Sequence, residues 1–199
     1  MMKSIKKPSL TEVEKYLYKC AHEPSLKRYL TQEDVVVTLF RDIYPYNTKE
    51  EEILVKVQIL NLFYSTGIIN TYAVAKHIYD LKDTDKLLQN ADIELIENIA
   101  NITIKGKRRR FYSFATKYCC HHNPNQYPIF DNNVCKILIY FNKIDNFYNF
   151  KASDLKNYGV FKNVIQEFQK YYDLEKYSFR ELDWYLWLLG KEHFSPSAT

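Results

Sequence analysis

Glycine and proline are scarce in this sequence, which has only 4 Gly and 6 Pro in 199 residues. Because these two residues form many tight turns, their scarcity argues against a fold made of many short strands. Segments with apolar residues three and four positions apart follow one another along the chain, and no convincing pair of strands is recognisable. The sequence therefore predicts an all-α protein of roughly ten helices joined by short connections.

Long apolar runs and a strong excess of one charge are also missing. No segment approaches the roughly 20 apolar residues that a membrane-spanning helix needs, so we expect no membrane association. The net charge is +4, from 28 Lys and Arg against 24 Asp and Glu. This excess is too small to indicate a nucleic-acid partner by itself. No sequence pattern specifies an oligomeric state.

The four cysteines indicate neither disulfides nor a metal site. The first residues are basic and precede an amphipathic helix, unlike a secretory signal, so we expect a cytoplasmic protein with free thiols. The run Cys119–His122 has a composition that suggests zinc. Neighbouring side chains on a helix point about 100° apart, so four consecutive residues cannot surround one tetrahedral ion. We therefore predict no metal site, and we expect Cys119 and His122 to be buried.

One segment concentrates positive charge. This basic cluster comprises Lys105, Gly106, Lys107, Arg108, Arg109 and Arg110. It overlaps the start of a segment, 108–122, that apolar spacing predicts to be a helix. A solvated helix start is one interpretation. The other is that DNA phosphates compensate cations that the helix dipole disfavours, which would make binding strongly salt-dependent.

A polar stripe lies on the same predicted helix, where Arg110, Ser113, Lys117 and His121 are three or four positions apart. A solvated helix face explains such a stripe, and contact between His121 and a phosphate is the alternative. Further on, the apolar residues 128–130 precede Asp131, which we expect to cap the next helix. A capping aspartate is held rigidly and kept ionised by backbone N–H groups. Lysine and aspartate near a basic cluster favour chemistry on a nucleic acid.

The segment FATKYCCHHNPNQYPIFDNNVCKIL, residues 114–138, resembles the catalytic core of the helix-hairpin-helix DNA glycosylase superfamily. Its PIFDNNV part is similar to the Pro-Ile-Leu-Asp-Gly-Asn-Val segment of adenine mismatch glycosylases. Thr116-Lys117 resembles a dipeptide of 8-oxoguanine DNA glycosylases and their bacterial OGG-like relatives. LNLFYSTGI at 60–68 and LDWYLWLLGK at 182–191 are similar to segments of the OGG-like group. The likeness thus runs over about residues 50–191.

The resemblance implies two helical subdomains around a cleft, which we place at 1–44 with 127–199 and at 45–126. It implies an enzyme of base excision repair that flips a damaged or modified base out of double-stranded DNA. A lysine in the Lys117 position attacks the sugar C1′ and forms a Schiff base, which releases the base and permits strand nicking. An aspartate in the Asp131 position stabilises the cationic sugar. The basic cluster and His121 would contact DNA, no cofactor is needed, and a nucleoid location is expected.

Three departures from the family pattern leave alternatives open. Gly106 is followed by Lys-Arg-Arg-Arg, where the family's hairpin usually contains a glycine pair. Lys117 and Asp131 are 14 positions apart (131 − 117), a shorter separation than usual, and an ungapped match places Ser113 at the nucleophile position of a water-using glycosylase. The cysteine pattern of the iron–sulfur members is absent. A non-catalytic helical module that binds DNA or a protein is the alternative function, and an RNA-directed protein is a third.

The resemblance leaves the excised base open as well. The nearest-looking relatives indicate oxidised guanine, such as 8-oxoguanine. A modified base in foreign DNA is equally compatible with the sequence, since the shape of the pocket decides the substrate.

Overall fold

The structure is a computed structural model that describes residues 5–194. Within this range the chain is mostly helical, which confirms the predicted helical fold. The α-helices are α1 Leu10–His22, α2 Lys27–Thr38, α3 Glu50–Tyr64, α4 Thr71–Asp80, α5 Thr84–Gln89, α6 Glu94–Ala100, α7 Tyr112–His122, α8 Asn132–Asp145, α9 Tyr158–Tyr171 and α10 Phe179–Phe194. Short 3-10 turns at Pro24–Leu26 and Asp154–Lys156 and a π-helical turn at Leu39–Ile43 accompany them.

Side-chain caps fix helix starts that the sequence predicts. Before α1, Ser9 Oγ accepts a 3.3 Å hydrogen bond from the Glu12 N–H. Before α10, the Ser178 N–H donates to Glu181 Oε2 at 2.8 Å, and the Glu181 N–H donates to Ser178 Oγ at 3.3 Å. These reciprocal bonds form a capping box, which satisfies N–H groups that have no partner inside the helix.

The predictions of a continuous helix over 108–122 and of no strand pair are wrong. Strands β1 (Asn101–Ile104) and β2 (Lys107–Arg110) pair antiparallel, and α7 begins after them. They are joined by Lys105 and Gly106, whose φ angles are both positive, 49° and 72°. Two such residues make the turn that matches the twist of a hairpin. The basic cluster is therefore a turn and a strand, and the helix-dipole argument does not apply to it.

The chain forms two compact units: a terminal unit, Met1–Lys27 with Pro128–Thr199, and a central unit, Arg28–Tyr127. The predicted boundary near residue 45 assigns α2 to the first subdomain, whereas the contacts group α2 with the central unit. The division into glycosylase-like subdomains stays a prediction.

In the terminal unit, α10 packs against α8 and α1. The core of this unit contains the buried residues Leu182, Leu186 and Leu189 of α10, Ile137, Leu138 and Phe141 of α8, and Val13 of α1. The sequence predicts that α10 stops at Gly190, and this prediction is wrong. The helix continues to Phe194, and Gly190 lies inside it against the backbone of Asn133.

In the central unit, α3 packs against α4, and α7 packs against α6 and α3. The buried apolar residues include Ile53, Val57 and Leu60 of α3, Val74 and Ile78 of α4, Leu95, Ile96 and Ile99 of α6, and Phe114 of α7. Eight consecutive residues of α7, 114–121, are buried. They include three polar side chains, those of Thr116, Lys117 and His121. The polar face of α7 is therefore enclosed.

None of the helices described within residues 5–194 has both the length and the apolar composition needed to cross a bilayer.

Candidate functional site

Lys117 lies in the second turn of α7 and is buried, with a relative exposure of 4%. Its Nζ donates a 2.6 Å hydrogen bond to Ser113 Oγ, one turn earlier in the helix. Nζ also lies 5.5 Å from the centre of the Tyr64 ring, which is a cation–π distance. The interpretation of this helix face as an ordinary solvated surface is therefore wrong for Lys117.

A chain of polar contacts links Tyr64 to α2 and to the end of α7. The Tyr64 hydroxyl donates to Glu33 Oε2 at 2.9 Å and lies 2.9 Å from His121 Nε2. A hydroxyl has one proton, so donation to Glu33 requires His121 to donate from Nε2. His121 is only 2% exposed, and this burial argues against the predicted contact between His121 and a DNA phosphate.

A second polar network surrounds Lys56, which is fully buried on α3. Its Nζ donates to three oxygens: Tyr44 O at 3.2 Å, Tyr46 O at 2.9 Å and Asn47 Oδ1 at 2.7 Å. The Tyr118 hydroxyl donates to the same Asn47 Oδ1, and Asn47 Nδ2 donates to Asp85 Oδ1 at 2.6 Å. His122 Nε2 lies 3.3 Å from Lys56 Nζ. This network joins α7 to α3, to α5 and to the segment before α3.

The run Cys119–His122 is divided between these two networks. His121 faces Tyr64, His122 faces Lys56, and both cysteines are buried as free thiols. Burial raises the pKa of the Cys119 thiol well above its ordinary value. Among the residues that the structure describes, no group of three or more His, Cys, Asp or Glu side chains is placed to hold a metal ion.

Two titratable groups of the Lys56 network, Lys56 and His122, predict a pH dependence of stability. Burial lowers the pKa of Lys56 to about 8, against the opposing effect of Asp85 and Glu52. Burial, and then the charge of Lys56, lower the pKa of His122 well below its ordinary value. Between about pH 8 and pH 10 the unfolded chain keeps a proton on Lys56 that the folded chain has lost, so Lys56 contributes a rise in the free energy of unfolding of on the order of 2 kcal/mol, which the raised thiol pKa of Cys119 opposes. Below about pH 6.5 only the unfolded chain protonates His122, so stability should fall.

Urea unfolding from about pH 5 to pH 10 measures both effects. The Lys56→Met variant keeps a long side chain without a titrating amine. It should lose the alkaline rise in the free energy of unfolding and keep the loss in acid. An alkaline rise of the same size in Lys56→Met would show that another group causes it.

Asp131 is the N-cap of α8, as the sequence predicts. Its backbone is extended, with φ −133° and ψ 146°, and its Oδ1 accepts a 2.7 Å hydrogen bond from the Asn133 N–H. Phe130, just before it, packs edge-to-face on Phe161 with ring centres 5.5 Å apart. Asp131 is half-buried, and its Oδ2 accepts no hydrogen bond from the described residues. The cap therefore holds the carboxylate and leaves one oxygen available.

The members of the basic cluster differ in their partners. Arg110 Nε donates to Glu97 Oε2 at 3.2 Å, and its guanidinium stacks on the Tyr112 ring at 4.2 Å. Burial acts to raise the pKa of Glu97, but hydrogen bonds from Arg110 and Asn101 outweigh it and hold that pKa below its ordinary value. The exposed cations Lys105, Lys107, Arg108 and Arg109 form no ion pair with the described residues. Arg110 is thus already engaged, and the other four cations are available to a partner.

Comparison with known proteins assigns the chain to a family. The sequence model of the HI_0787_N family, an N-terminal domain, matches residues 12–126. The chain belongs to this family. An uncharacterized protein of Haemophilus influenzae (strain ATCC 51907 / DSM 11121 / KW20 / Rd) is 51% identical over 149 residues, which cover 75% of this chain and 71% of that relative. No solved structure matches the chain.

The range matched by the HI_0787_N family contains the hairpin, Ser113 and Lys117. It ends at 126, one residue before the central unit ends. Asp131 follows this range and belongs to the terminal unit. The family match therefore covers the Lys117 surroundings but not the predicted aspartate.

Lys56 and Glu33 are among the residues of these networks that the sequence did not indicate. Lys56 lies on the buried stripe of α3 with Ile53, Val57 and Leu60. A lysine on an apolar stripe is a signal that could have identified a buried amine. Glu33 has no comparable signal, because it is one of several charged residues on an amphipathic helix.

Proposed function

We propose that the protein is a DNA N-glycosylase with AP-lyase activity, in which Lys117 is the nucleophile. The observation that carries the proposal is the enclosure of the Lys117 amine by Ser113 and Tyr64. It occurs in the segment that resembles the catalytic core of helix-hairpin-helix glycosylases. Side chains that hold an amine in one position suit it to attack a carbon centre. The glycosylase-like arrangement of two subdomains is part of the proposal.

In the proposed reaction the neutral Lys117 amine attacks C1′ of a flipped nucleotide. The N–C1′ bond forms as the glycosidic bond breaks, and the electron pair leaves with the base, which takes up a proton. The amine then loses a proton and the ring oxygen gains one as the sugar opens to a protonated Schiff base. Loss of a proton from C2′ eliminates the 3′ phosphate and nicks the strand. The proposed role of Asp131 is to stabilise positive charge on the sugar and to assist deprotonation.

Ser113 is the alternative catalytic residue for the same substrate class. Its hydroxyl is hydrogen-bonded to Lys117 Nζ, so the two alternative nucleophile positions of the sequence are neighbours. In this version Ser113 orients a water molecule that attacks C1′, and no covalent intermediate forms. The two versions therefore differ in one observable, which is a covalent protein–DNA adduct.

Borohydride trapping on duplex oligonucleotides with 8-oxoguanine or an abasic site tests Lys117. Reduction of a Schiff base links protein to DNA irreversibly. We expect an adduct with the wild-type and Ser113→Ala proteins, and a loss of roughly 100-fold or more with Lys117→Ala, because the attacking amine is gone. Lys117→Met, which retains packing, should lose the adduct equally.

Lys82→Ala removes an exposed lysine of the same unit and is the matched control. Peptide mapping of the adduct separates Lys117 from the N-terminal amine. If the protein releases a base without forming an adduct, and Ser113→Ala abolishes that release, the water mechanism is established. Lys117 is then ruled out as the nucleophile. An adduct that persists in both Lys117 variants would also rule it out.

A non-catalytic DNA-binding module is the second candidate function. The observation that favours it is the set of hairpin cations that have no acidic partner within residues 5–194, which would serve binding without any chemistry. Salt-sensitive binding of duplex DNA, with no base released from a wide set of modified duplexes, would establish this function. The proposed partner in both cases is double-stranded DNA, with the nucleoid as the proposed location. Competition between duplex DNA and RNA for binding tests whether DNA is the partner.

A further inference from the structure

A groove on the central unit lies between the hairpin and the connection from α3 to α4. Its volume is about 430 Å³, and its lining includes Ile69, Asn70, Lys105, Lys107, Arg109 and Phe111. None of the described residues that line it is Asp or Glu. Three cations without a carboxylate create a positive potential inside a concave surface, which favours an anionic ligand.

The pairing register of the hairpin explains why only some residues of the basic cluster are directed towards this groove. Lys107 pairs with Ile104, and Arg109 pairs with Ile102. Directly opposed residues of an antiparallel pair have their side chains on the same face. Because Ile102 is buried, this face is the one turned towards the rest of the central unit. Arg108, which pairs with Thr103, lies on the other face.

Two other exposed lysines of the unit have acidic partners, which the groove cations lack among the described residues. Lys49 pairs with Glu52 at 2.8 Å, and Lys76 pairs with Asp80 at 3.0 Å. Lys105, Lys107 and Arg109 form no ion pair with residues 5–194. Like charges gathered in one groove repel one another, and a bound anion would offset this repulsion.

Ile69 adds an apolar surface to the groove. Its side chain is fully exposed, with a relative exposure of 101%. Nearby, Gly67 has no atom within 4 Å of the position that a Cβ would occupy, so the approach is open. A ligand that carries both apolar and anionic groups would match Ile69 and the cations. A nucleic-acid strand has both, because its sugars offer carbon faces and its phosphates are anionic.

We infer that this groove binds the sugar–phosphate backbone of one DNA strand. Lys107 and Arg109 contact phosphates, Lys105 contributes from the turn, and Ile69 packs against a sugar. The inference rests on the DNA partner of the proposed function but not on the chemistry of Lys117. It divides the basic cluster into groove cations that bind DNA and a pair, Arg108 and Arg110, that does not.

The salt dependence of duplex binding, measured by fluorescence anisotropy, tests the groove. Each B-DNA phosphate contact adds about 0.9 to the slope of log K against log salt concentration, so Lys107→Ala/Arg109→Ala should flatten that slope by about 2. The variant Lys82→Ala/Lys86→Ala removes the same charge elsewhere on the unit and should keep the slope. Arg108→Ala should keep it too. Ile69→Ala should weaken binding several-fold at an unchanged slope, because it removes no charge.

Three outcomes would overturn the inference. Equal flattening by Lys82→Ala/Lys86→Ala would mean that net charge and not the groove governs binding. A slope change of about 1 in Arg108→Ala would contradict the inference that the hairpin face of Arg108 does not bind DNA. Stronger competition by RNA than by duplex DNA would exclude a DNA strand as the ligand. Circular dichroism checks that each variant is folded, and all of the substituted side chains are exposed.

The same variants separate this inference from the proposed function. Lys117→Ala should lose the trapped adduct and keep the full salt slope. Lys107→Ala/Arg109→Ala should keep the adduct at low salt and lose part of the slope. Failure of both trapping and base release, with an intact groove effect, would remove the glycosylase proposal and leave the DNA groove.

Discussion

Asn47→Ala is expected to lower the free energy of unfolding by about 4 kcal/mol, a large fraction of the stability of an ordinary domain. The Asn47 side chain is the shared acceptor of the Lys56 network, since its Oδ1 binds both Lys56 Nζ and the Tyr118 hydroxyl. Alanine leaves the fully buried Tyr118 hydroxyl without this acceptor and removes one of the three oxygens that Lys56 binds. Buried polar groups without partners cost about 1–3 kcal/mol each, and a buried charge costs more.

Asp85 loses fewer of its hydrogen bonds in this variant, because the Asn47 backbone N–H still donates to its Oδ2 at 3.0 Å. The expected loss is therefore concentrated on Lys56 and Tyr118. For a chain of this size it corresponds to a decrease in Tm of roughly 10 °C.

Asn70→Ala is the matched control for Asn47→Ala. The exposed Asn70 side chain caps α4 through a 3.0 Å bond from the Ala73 N–H, and loss of such a cap costs about 1 kcal/mol. Urea unfolding of both variants at neutral pH measures the difference. If Asn47→Ala costs no more than Asn70→Ala, the Lys56 network does not stabilise the fold as we describe.

Helix starts were predictable because the relevant contacts are local. Ser9 and Ser178 bond to groups three residues away, and Asp131 bonds to a group two residues away. Apolar spacing likewise identifies the buried face of α3. Each of these features depends on a few neighbouring residues, so the sequence contains the necessary information.

The surroundings of Lys117 were not predictable in the same way. Its helix face has a polar composition, and apart from Ser113 the residues that enclose it lie far earlier in the chain. Tyr64 contacts both Lys117 and His121, and Glu33 contacts Tyr64. The hairpin was missed for another reason. All four residues of β2 are exposed and basic, so that strand has no alternation of apolar and polar residues to reveal it.

Gly190 shows how a contact between helices can reverse a local rule. Glycine near the end of an apolar stretch predicts a helix stop, and in a helix interior it costs up to about 1 kcal/mol relative to alanine. Here α10 continues through Gly190 because the backbone of α8 lies against it. A Cβ at this position would lie 2.6 Å from Asn133 O and 2.7 Å from Asn133 Cβ.

Gly190→Ala should therefore destabilise the protein by about 2–3 kcal/mol, although helix propensity alone predicts a gain of up to about 1 kcal/mol. The clash involves backbone atoms, which cannot turn aside as a flexible side chain can. Thermal or urea unfolding shows directly whether Gly190→Ala raises or lowers the free energy of unfolding. A variant as stable as the wild type or more stable would mean that α8 and α10 adjust to the added methyl group at no cost.

The same substitution links packing to the proposed chemistry, because Asn133 donates its N–H to Asp131 Oδ1. A displacement of Asn133 by the new methyl group would shift the cap that holds the carboxylate. Val13→Ala, a core truncation in the same unit, is the control for destabilisation alone. Well below the Tm of both variants, Gly190→Ala should reduce borohydride trapping and Val13→Ala should not. Equal trapping by the two folded variants would show that the exact position of the Asp131 cap does not matter to the reaction.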